Sequence, residues 1–259
     1  MTIARKTDGS AGDADYGKIG PGYANFRQPE PAIAALIVET LGDAKTVLNV
    51  GAGAGSYEPT DREVTAVEPS AAMREQRPPH LPRAVDATSE ALPFADDSLD
   101  ASMTTFSVHQ WSDLAKGLAE MRRVTRGPVL VLSADPSILD RFWLNDYAPE
   151  VIAVEASRYP RVETIAQHLG GNVEVVHVPI PLHCKDGFNE GYYGRPEWLL
   201  EPAARKACSG WSFVSPDVVA RFERTLSADL ASGAWDARYG ALRTQPTFDG
   251  PLRLIVARP

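Results

Sequence analysis

The chain has 259 residues, of which 44% are hydrophobic and 23% charged, which fits one globular α/β domain with an accessory part better than two independent domains. The formal net charge of −8 excludes the basic footprint of a nucleic-acid-binding protein, and no apolar run is long enough to span a bilayer or to act as a secretion signal, so we expect a cytoplasmic protein. The two cysteines, Cys184 and Cys208, are too few for a disulfide framework and lack metal-ligand spacing, so we predict no metal site.

The first predicted element is a helix close to the N-terminus. Residues 1–15 are rich in Gly, Ser, Ala and Asp and predict a flexible tail. In the stretch 31–41, Ile33 and Ile37 lie on one face of a helix that begins with a proline and stops at Gly42. A helix therefore precedes the first predicted strand.

Five short apolar runs then alternate with turns and helices. The run at 128–133 is continuous and apolar, as buried parallel strands are. The helix before it is predicted to have Ser112 as its N-cap and Gly127 as its terminator. This alternation favours a doubly wound parallel sheet. The five predicted strands are TVLNV (46–50), VTAVE (64–68), RAVDA (83–87), the apolar part of DSLDASMTTFS (97–107) and PVLVLS (128–133).

The second half of the chain is less regular. Two segments, at about 136–160 and 184–212, contain several aromatic residues and carry no strand pattern. Between them, ETIAQHLGG (163–171) predicts a helix with a glycine stop. The other predicted elements are a sixth strand at NVEVVHVPIP (172–181), a helix starting at Ser215-Pro216-Asp217 and a last strand at LRLIVARP (252–259).

The glycine-rich stretch VLNVGAGAGSYE carries the strongest chemical signal. Gly51, Gly53 and Gly55 follow the first predicted strand, where open α/β sheets bind their ligands. Residues without a Cβ let a ligand approach backbone N–H groups closely. Glu68 ends the second predicted strand, where its carboxylate can accept both hydroxyls of a ribose. Together these features indicate a site for an adenosine-containing ligand.

The spacing in this turn argues against a dinucleotide. The dinucleotide pattern G-x-G-x-x-G requires glycine at position 56, which is Ser56 here. Only residues 56–63, with Pro59 among them, separate the turn from the second strand, which leaves room for about two helical turns at most. Because the pyrophosphate of a dinucleotide binds at a helix N-terminus, an NAD(P) site is disfavoured.

Four stretches together resemble the class I S-adenosylmethionine-dependent methyltransferases, in particular the bacterial group related to the ubiquinone and menaquinone biosynthesis enzymes. The resemblance implies a Rossmann-like α/β sheet of seven strands with the last one antiparallel. It also implies a helical lid at 16–45, a core at 46–259 with cap insertions at the two irregular segments, and S-adenosylmethionine as cofactor. The stretches are VLNVGAGAGSYE, VTAVEPSAAM, VDATSEALPFADDSLDAS and TTFSVHQWSDLAKGLAEMRRVTRGPVLVLS.

The same resemblance implies roles for individual residues in cofactor binding. The glycine turn would lie beside the methionine part of the cofactor, Glu68 would hold the ribose hydroxyls, and Asp86 would sit by the adenine amino group. In the lid, Tyr23 and Arg27 either contact the cofactor carboxylate or pack the lid helix. The cofactor-binding set is Tyr23, Arg27, Gly51, Ala52, Gly53, Gly55, Glu68, Pro69, Met73, Asp86, Ala87 and Ser107.

The acceptor of the methyl group is less well defined by the sequence. His109, at the exit of the fourth strand, is either a general base or a structural histidine. Glu190 and Tyr193, in the second irregular segment, are further catalytic candidates. Aromatic residues in both segments favour an apolar small-molecule acceptor, while Arg195 and Lys185 would suit an anionic one.

Three functional hypotheses follow from these observations. The first is a methyltransferase that acts on a small molecule by direct in-line transfer. The alternatives are a protein that keeps the fold and binds the cofactor without methyl transfer, and an NAD(P)-dependent oxidoreductase. The sequence does not define the acceptor atom or the oligomeric state.

Overall fold

The structure, a computed structural model, describes residues 23–259, with side chains from Asn25 onward. The predicted tail at 1–15 and the first part of the predicted lid at 16–22 lie outside the described residues. Within them, no helix is both long enough and apolar enough to cross a membrane.

A six-stranded mixed sheet forms the centre of the fold, in the order β2-β1-β3-β4-β8-β5. The first four strands in that order are parallel, and β8 runs antiparallel to both of its neighbours. The predicted α/β class with an antiparallel last strand is confirmed. The strands are β1 (Thr46–Val50), β2 (Glu63–Val67), β3 (Ala101–Thr105), β4 (Val129–Ala134), β5 (Asn172–His177) and β8 (Leu252–Arg258), and a separate antiparallel pair is formed by β6 (Ile180–Pro181) and β7 (Thr247–Phe248).

The strand predicted at 83–87 is wrong, which explains why the main sheet has six strands and not seven. A single parallel bridge joins Val85 to Val67. Val85 donates its N–H to the Ala66 carbonyl and accepts from the N–H of Glu68 before the chain turns away. Because the side chains of Val85 and Asp86 are exposed, burial does not stabilise a longer edge strand here.

Helices cover both faces of the sheet and follow the predicted pattern closely. The first long helix spans the predicted residues and ends at Gly42. The helix after β3 is capped by Asp113 and not by Ser112, because Ser112 donates its N–H and hydroxyl to Glu90. The α-helices are α1 (Tyr23–Phe26), α2 (Pro31–Leu41), α3 (Ala71–Glu75), α4 (Leu114–Val124), α5 (Leu144–Tyr147), α6 (Pro149–Arg158), α7 (Val162–Leu169), α8 (Pro202–Lys206), α9 (Pro216–Ser232) and α10 (Ala234–Tyr239).

Two apolar clusters occupy the two faces of the sheet. One face is covered by α4 and α7, through Leu118 and Ile165 among others. The other face is covered by α2 and by both irregular segments, which fold into short α- and 3₁₀-helices and bury large aromatic side chains such as Trp211. The irregular segments therefore form part of the main core on the second face.

The connection between β1 and β2 contains no helix. It is held in place by the buried ion pair between Glu58 and Arg77, whose side chains are 0% and 4% exposed. Asn49 of β1 donates its side-chain amide to the same carboxylate at 3.0 Å. A helix here would pair most of its own backbone N–H and C=O groups. Without one, these side-chain contacts hold the connection in its conformation.

The carboxylate of Asp100 joins the starts of β1 and β3, and we predict that its loss destabilises the fold. It accepts hydrogen bonds from the N–H groups of Lys45 and Thr46 and from Arg126. We expect Asp100→Ala to lower the free energy of unfolding by about 2–3 kcal/mol, because several charge-assisted bonds are lost. Denaturant titration measures this change.

The pH dependence of the Asp100→Ala effect provides a second readout. The Arg126 guanidinium and these N–H groups hold the pKa of Asp100 well below its usual range. The stabilisation is therefore present above the unfolded-state pKa of about 3.9 and is lost as the pH falls through the folded-state pKa. Asp96→Ala, which removes an exposed partner of Arg123, serves as control with an expected loss under about 1 kcal/mol. Equal losses for the two variants would contradict this assignment.

Candidate active site

The glycine turn lies at the carboxyl end of β1, where its backbone closely approaches the loop after β3. Gly51 and Gly53 have φ values of 68° and 52°, a region that favours glycine. A Cβ on Gly51 would lie 1.9 Å from the Ser107 hydroxyl oxygen, so no other residue fits there without displacing Ser107. The turn thus presents bare backbone at the edge of the sheet.

Glu68 follows β2 and faces this turn. Its carboxylate accepts hydrogen bonds of 2.8 Å from the N–H groups of Gly53 and Ser70. Burial raises the pKa of this carboxyl group, and these two N–H groups oppose that rise. The carboxylate is therefore fixed in position, with one oxygen bound to the glycine turn and the other to the start of α3.

A cleft of about 910 Å³, including the part open to solvent, lies between the turn, Glu68 and the loop after β3. The structure brings most of the predicted cofactor residues together on its wall. The predicted residues that line it are Arg27, Gly51, Ala52, Gly53, Glu68, Pro69, Met73 and Ser107.

Four predicted residues are not found on this wall. Gly55 faces Leu81 and Arg77, since a Cβ there would lie 2.2 Å from a Leu81 methyl group. Asp86 is exposed and pairs with Arg74 at 3.2 Å. Ala87 packs in the core cluster beneath α4, and the side chain of Tyr23 lies outside the described residues.

Residues just after Ala87 line the cleft instead. Thr88, Ser89 and Glu90 all lie on its wall. Glu90 connects the cleft to α4, because one of its oxygens accepts from Ser112 and from the N–H of Asp113. The predicted stretch therefore reaches the cleft, but residues 88–90 and not Asp86 or Ala87 line its wall.

Arg27 and Asp186 form an ion pair at one end of the cleft. The Arg27 Nε lies 2.5 Å from one oxygen of Asp186, and the hydroxyl of Tyr57 donates to the other at 2.9 Å. Burial and the nearby Asp186 charge raise the pKa of Tyr57, so the phenol stays protonated as a donor. The Arg27 guanidinium also lies over the ring of Phe106, 5.1 Å from its centroid.

A second cavity, of about 630 Å³ including the part open to solvent, adjoins the cleft, and Arg27 and Phe106 line both. Phe106 has a φ of 51°, which is uncommon for an aromatic residue and is typical of functional positions. The predicted residues His109 and Glu190 both line this second cavity. Its other polar and aromatic lining residues are Glu155, Tyr159, Phe188, Asn189, Cys208 and Ser209.

The side chain of Tyr193 does not share this cavity with His109 and Glu190, although its N–H donates to the Glu190 carbonyl at 3.1 Å. Its ring stacks on Phe248, and its hydroxyl donates to the backbone carbonyl of Gln245 at 2.5 Å. Arg195 donates to the carbonyls of Cys184 and Gly191, which indicates a structural role for this guanidinium in holding the second segment. Neither residue lines the cleft or the second cavity.

Comparisons with known proteins agree with this geometry. Residues 48–131 match the family model described as a methyltransferase domain. The demethylmenaquinone methyltransferase of Renibacterium salmoninarum is 38% identical over 163 residues, which cover 51% of this chain and 68% of that protein. The uncharacterised methyltransferase YcgJ of Bacillus subtilis is 33% identical over 116 residues, 40% of this chain and 42% of YcgJ.

Among solved structures, a candidate methyltransferase from an antibiotic biosynthesis pathway of Anabaena variabilis superposes with a TM-score of 0.83. It is 28% identical, and the match covers 90% of this chain and 99% of that one. The fold and the site define a Rossmann-like methyltransferase. The chain belongs to the class I S-adenosylmethionine-dependent methyltransferases, and S-adenosylmethionine is its cofactor.

Glu68 gives the first test of the cofactor site. We expect Glu68→Ala to weaken S-adenosylmethionine binding by about 10- to 100-fold, because charge-assisted hydrogen bonds contribute about 1.5–3 kcal/mol each. Isothermal titration calorimetry measures the affinity, and thermal unfolding checks that the variant is folded. Asp86→Ala removes the exposed carboxylate outside the cleft and should change the affinity less than about threefold. An unchanged affinity in Glu68→Ala would refute the role of this carboxylate.

Proposed function

We propose that the protein transfers a methyl group to a small molecule that binds in the second cavity. The observation that carries this proposal is the wall formed by Arg27 and Phe106, which lines both the cleft and the second cavity. S-adenosylmethionine, when bound, supplies a methyl group made electrophilic by its sulfonium. A donor in the cleft and an acceptor in the second cavity meet at this wall, which satisfies the need for alignment.

The residues of the cleft fit S-adenosylmethionine. The bare backbone at Gly51 and Gly53 lets the amino-acid part of a ligand approach the sheet edge. The carboxylate of Glu68 is held where it can accept hydroxyl groups, and Pro69 and Met73 provide apolar surface for a purine. These contacts support the predicted roles of the turn, of Glu68 and of the residues after it.

Residues from both irregular segments enclose the acceptor side. Leu139, Glu155 and Tyr159 come from the first segment, and Phe188 and Glu190 come from the second. Because both segments contribute to the wall of one cavity, they are suited to exclude water from the reacting atoms. This supports the prediction that they act as a cap which determines the acceptor.

His109 is positioned to contact an acceptor in this cavity. It belongs to the 3₁₀-helix Val108–Gln110 directly after β3, and its ring lies 4.5 Å from that of Tyr159. A general base is needed only when the acceptor must lose a proton before or during attack. We propose that His109 orients the acceptor or relays such a proton.

A small-molecule acceptor is favoured over a macromolecule. The cavity is largely surrounded by protein, and the net charge of −8 opposes binding to nucleic acid. The relative from R. salmoninarum is named for methylating demethylmenaquinone, a small molecule, which supports the same class of acceptor here.

Calorimetric titration with S-adenosylmethionine, S-adenosylhomocysteine and NADH tests the proposal directly. We expect both sulfur compounds to bind and NADH not to bind. Transfer of labelled methyl groups is then measured with a panel of small acceptors. Binding of NADH alone, or cofactor binding without transfer to any acceptor of the panel, would refute the proposed function.

Filling the second cavity should block methyl transfer without affecting the cofactor. Ala207 lines this cavity at the end of α8, whereas Ala203 of the same helix is exposed. We expect Ala207→Leu to lower kcat/KM at least about tenfold, about 1.4 kcal/mol, because the larger side chain would occupy space proposed for the acceptor. Ala203→Leu should be neutral, and S-adenosylmethionine affinity should stay unchanged in both. Full activity in a folded Ala207→Leu variant would exclude this cavity as the acceptor site.

A further inference from the structure

The second cavity contains a carboxylate that no cation of the described part of the chain neutralises. Glu190 is 7% exposed, lies in the 3₁₀-helix Asn189–Tyr192 and lines the cavity. Among the described residues, no Arg, Lys or His forms an ion pair with it. Arg27, which lines the same cavity, pairs with Asp186, and Arg158 lies 3.9 Å from Glu155.

A second buried carboxylate faces the same space. Glu155 accepts the N–H of Gly210 at 2.9 Å and is likewise 7% exposed. Burial, with a smaller contribution from the charge of Glu155, raises the pKa of Glu190 to about 7, whereas the backbone N–H of Glu190 and the charge of Arg27 oppose that rise. The cavity therefore carries two buried carboxylates among aromatic and polar side chains.

The aromatic lining also suits a positive charge. The rings of Phe106 and Phe188 lie 5.4 Å apart, centroid to centroid, and Tyr159 stands beside His109 on the wall. Faces of aromatic rings attract cations, as the guanidinium over Phe106 already shows within this structure. A carboxylate and aromatic rings around one cavity form a chemical environment that recognises an ammonium group.

We propose that the methyl acceptor is a small primary or secondary amine, which binds as its ammonium form to the carboxylate of Glu190 in the second cavity. This inference rests on the proposed methyl transfer. It specifies the chemical class of the acceptor and identifies Glu190 as the general base. Glu190 is then a catalytic residue, because its carboxylate contacts the reacting nitrogen.

The reaction balances without a further reactant. The ammonium gives one proton to the carboxylate of Glu190, which leaves a neutral amine with a lone pair. That lone pair forms the new N–C bond as the S–CH₃ bond breaks, and the electron pair of the broken bond stays on sulfur. The product leaves as its N-methylated ammonium ion, and the proton on Glu190 returns to solvent.

Amine binding should depend on pH in a defined direction. Glu190 is ionised above a pKa of about 7, so affinity for an ammonium rises as the pH increases through 7. It falls again above about 10, where a simple amine loses its charge. Burial keeps Tyr159 and Cys208 protonated throughout this range. The other ionisable groups around the cavity are Glu155, Arg27, Arg158 and His109.

Two matched sets of probes test the proposal on the full chain saturated with S-adenosylhomocysteine. One set is 2-phenylethylamine, 2-phenylethanol and 3-phenylpropionate, and the other is hexylamine, 1-hexanol and heptanoate. At pH 8 we expect the amine with the higher affinity to bind at least about tenfold more tightly than the alcohol of its own set, and we expect neither carboxylate to bind. Calorimetry measures these affinities. Equal affinities within each set, or no binding by either amine, would overturn the proposal.

Variants then assign the preference to Glu190. Glu190→Gln should make amine and alcohol equal, while S-adenosylhomocysteine affinity and melting temperature show that the protein is intact. Glu201→Gln, an exposed change in the same segment, should leave the preference as it is. An amine preference that persists in a folded Glu190→Gln protein would overturn the assignment.

The proposed function can fail separately from this inference. Labelled methyl transfer to the alcohols at least as fast as to the amines would keep the methyltransferase and refute the amine. If the wild-type protein did not bind S-adenosylmethionine, the methyltransferase proposal itself would be refuted.

Discussion

The carboxylate of Asp186 connects three parts of the chain on which both cavities depend. It binds Arg27, which precedes α2, and Tyr57, which lies in the connection between β1 and β2, while Asp186 itself belongs to the second irregular segment. Such a carboxylate, 2% exposed, is stable only with close partners, and the guanidinium and the phenol provide them. Because Arg27 is part of the wall between the two cavities, this one contact sets the shape of both.

The connection between β1 and β2 reaches Asp186 because it is not a helix. Tyr57 has a φ of 64°, and its hydroxyl accepts from the N–H of Glu30 while it donates to Asp186. The buried pair of Glu58 and Arg77 fixes the following residue on the opposite side. Breaking one partner of such a pair leaves an uncompensated buried charge, so the pair favours one conformation of this short connection.

The sequence predicted those features that depend on local patterns. The turn at Gly51 and the carboxylate of Glu68 lie where strand ends and glycine spacing indicated, and α2 has its predicted bounds. Asp186 carries no local signal, because its contacts join residues 129 and 159 positions apart. The sequence did not predict that Thr88 lines the cleft, for another reason. The hydrophobic pattern indicates that Ala87 is buried, but it does not indicate which neighbouring residue lines the cleft.

The bridge at Val85 has a consequence for how the sheet meets other molecules. β2 is one of the two edge strands of the main sheet, and an edge strand offers unpaired N–H and C=O groups to any strand of another chain. At Ala66 and Glu68 those groups are already bonded to Val85. A strand of another chain therefore cannot pair along the full length of β2. Val85, although it does not form a further strand, thus protects this edge of the sheet from edge-to-edge aggregation.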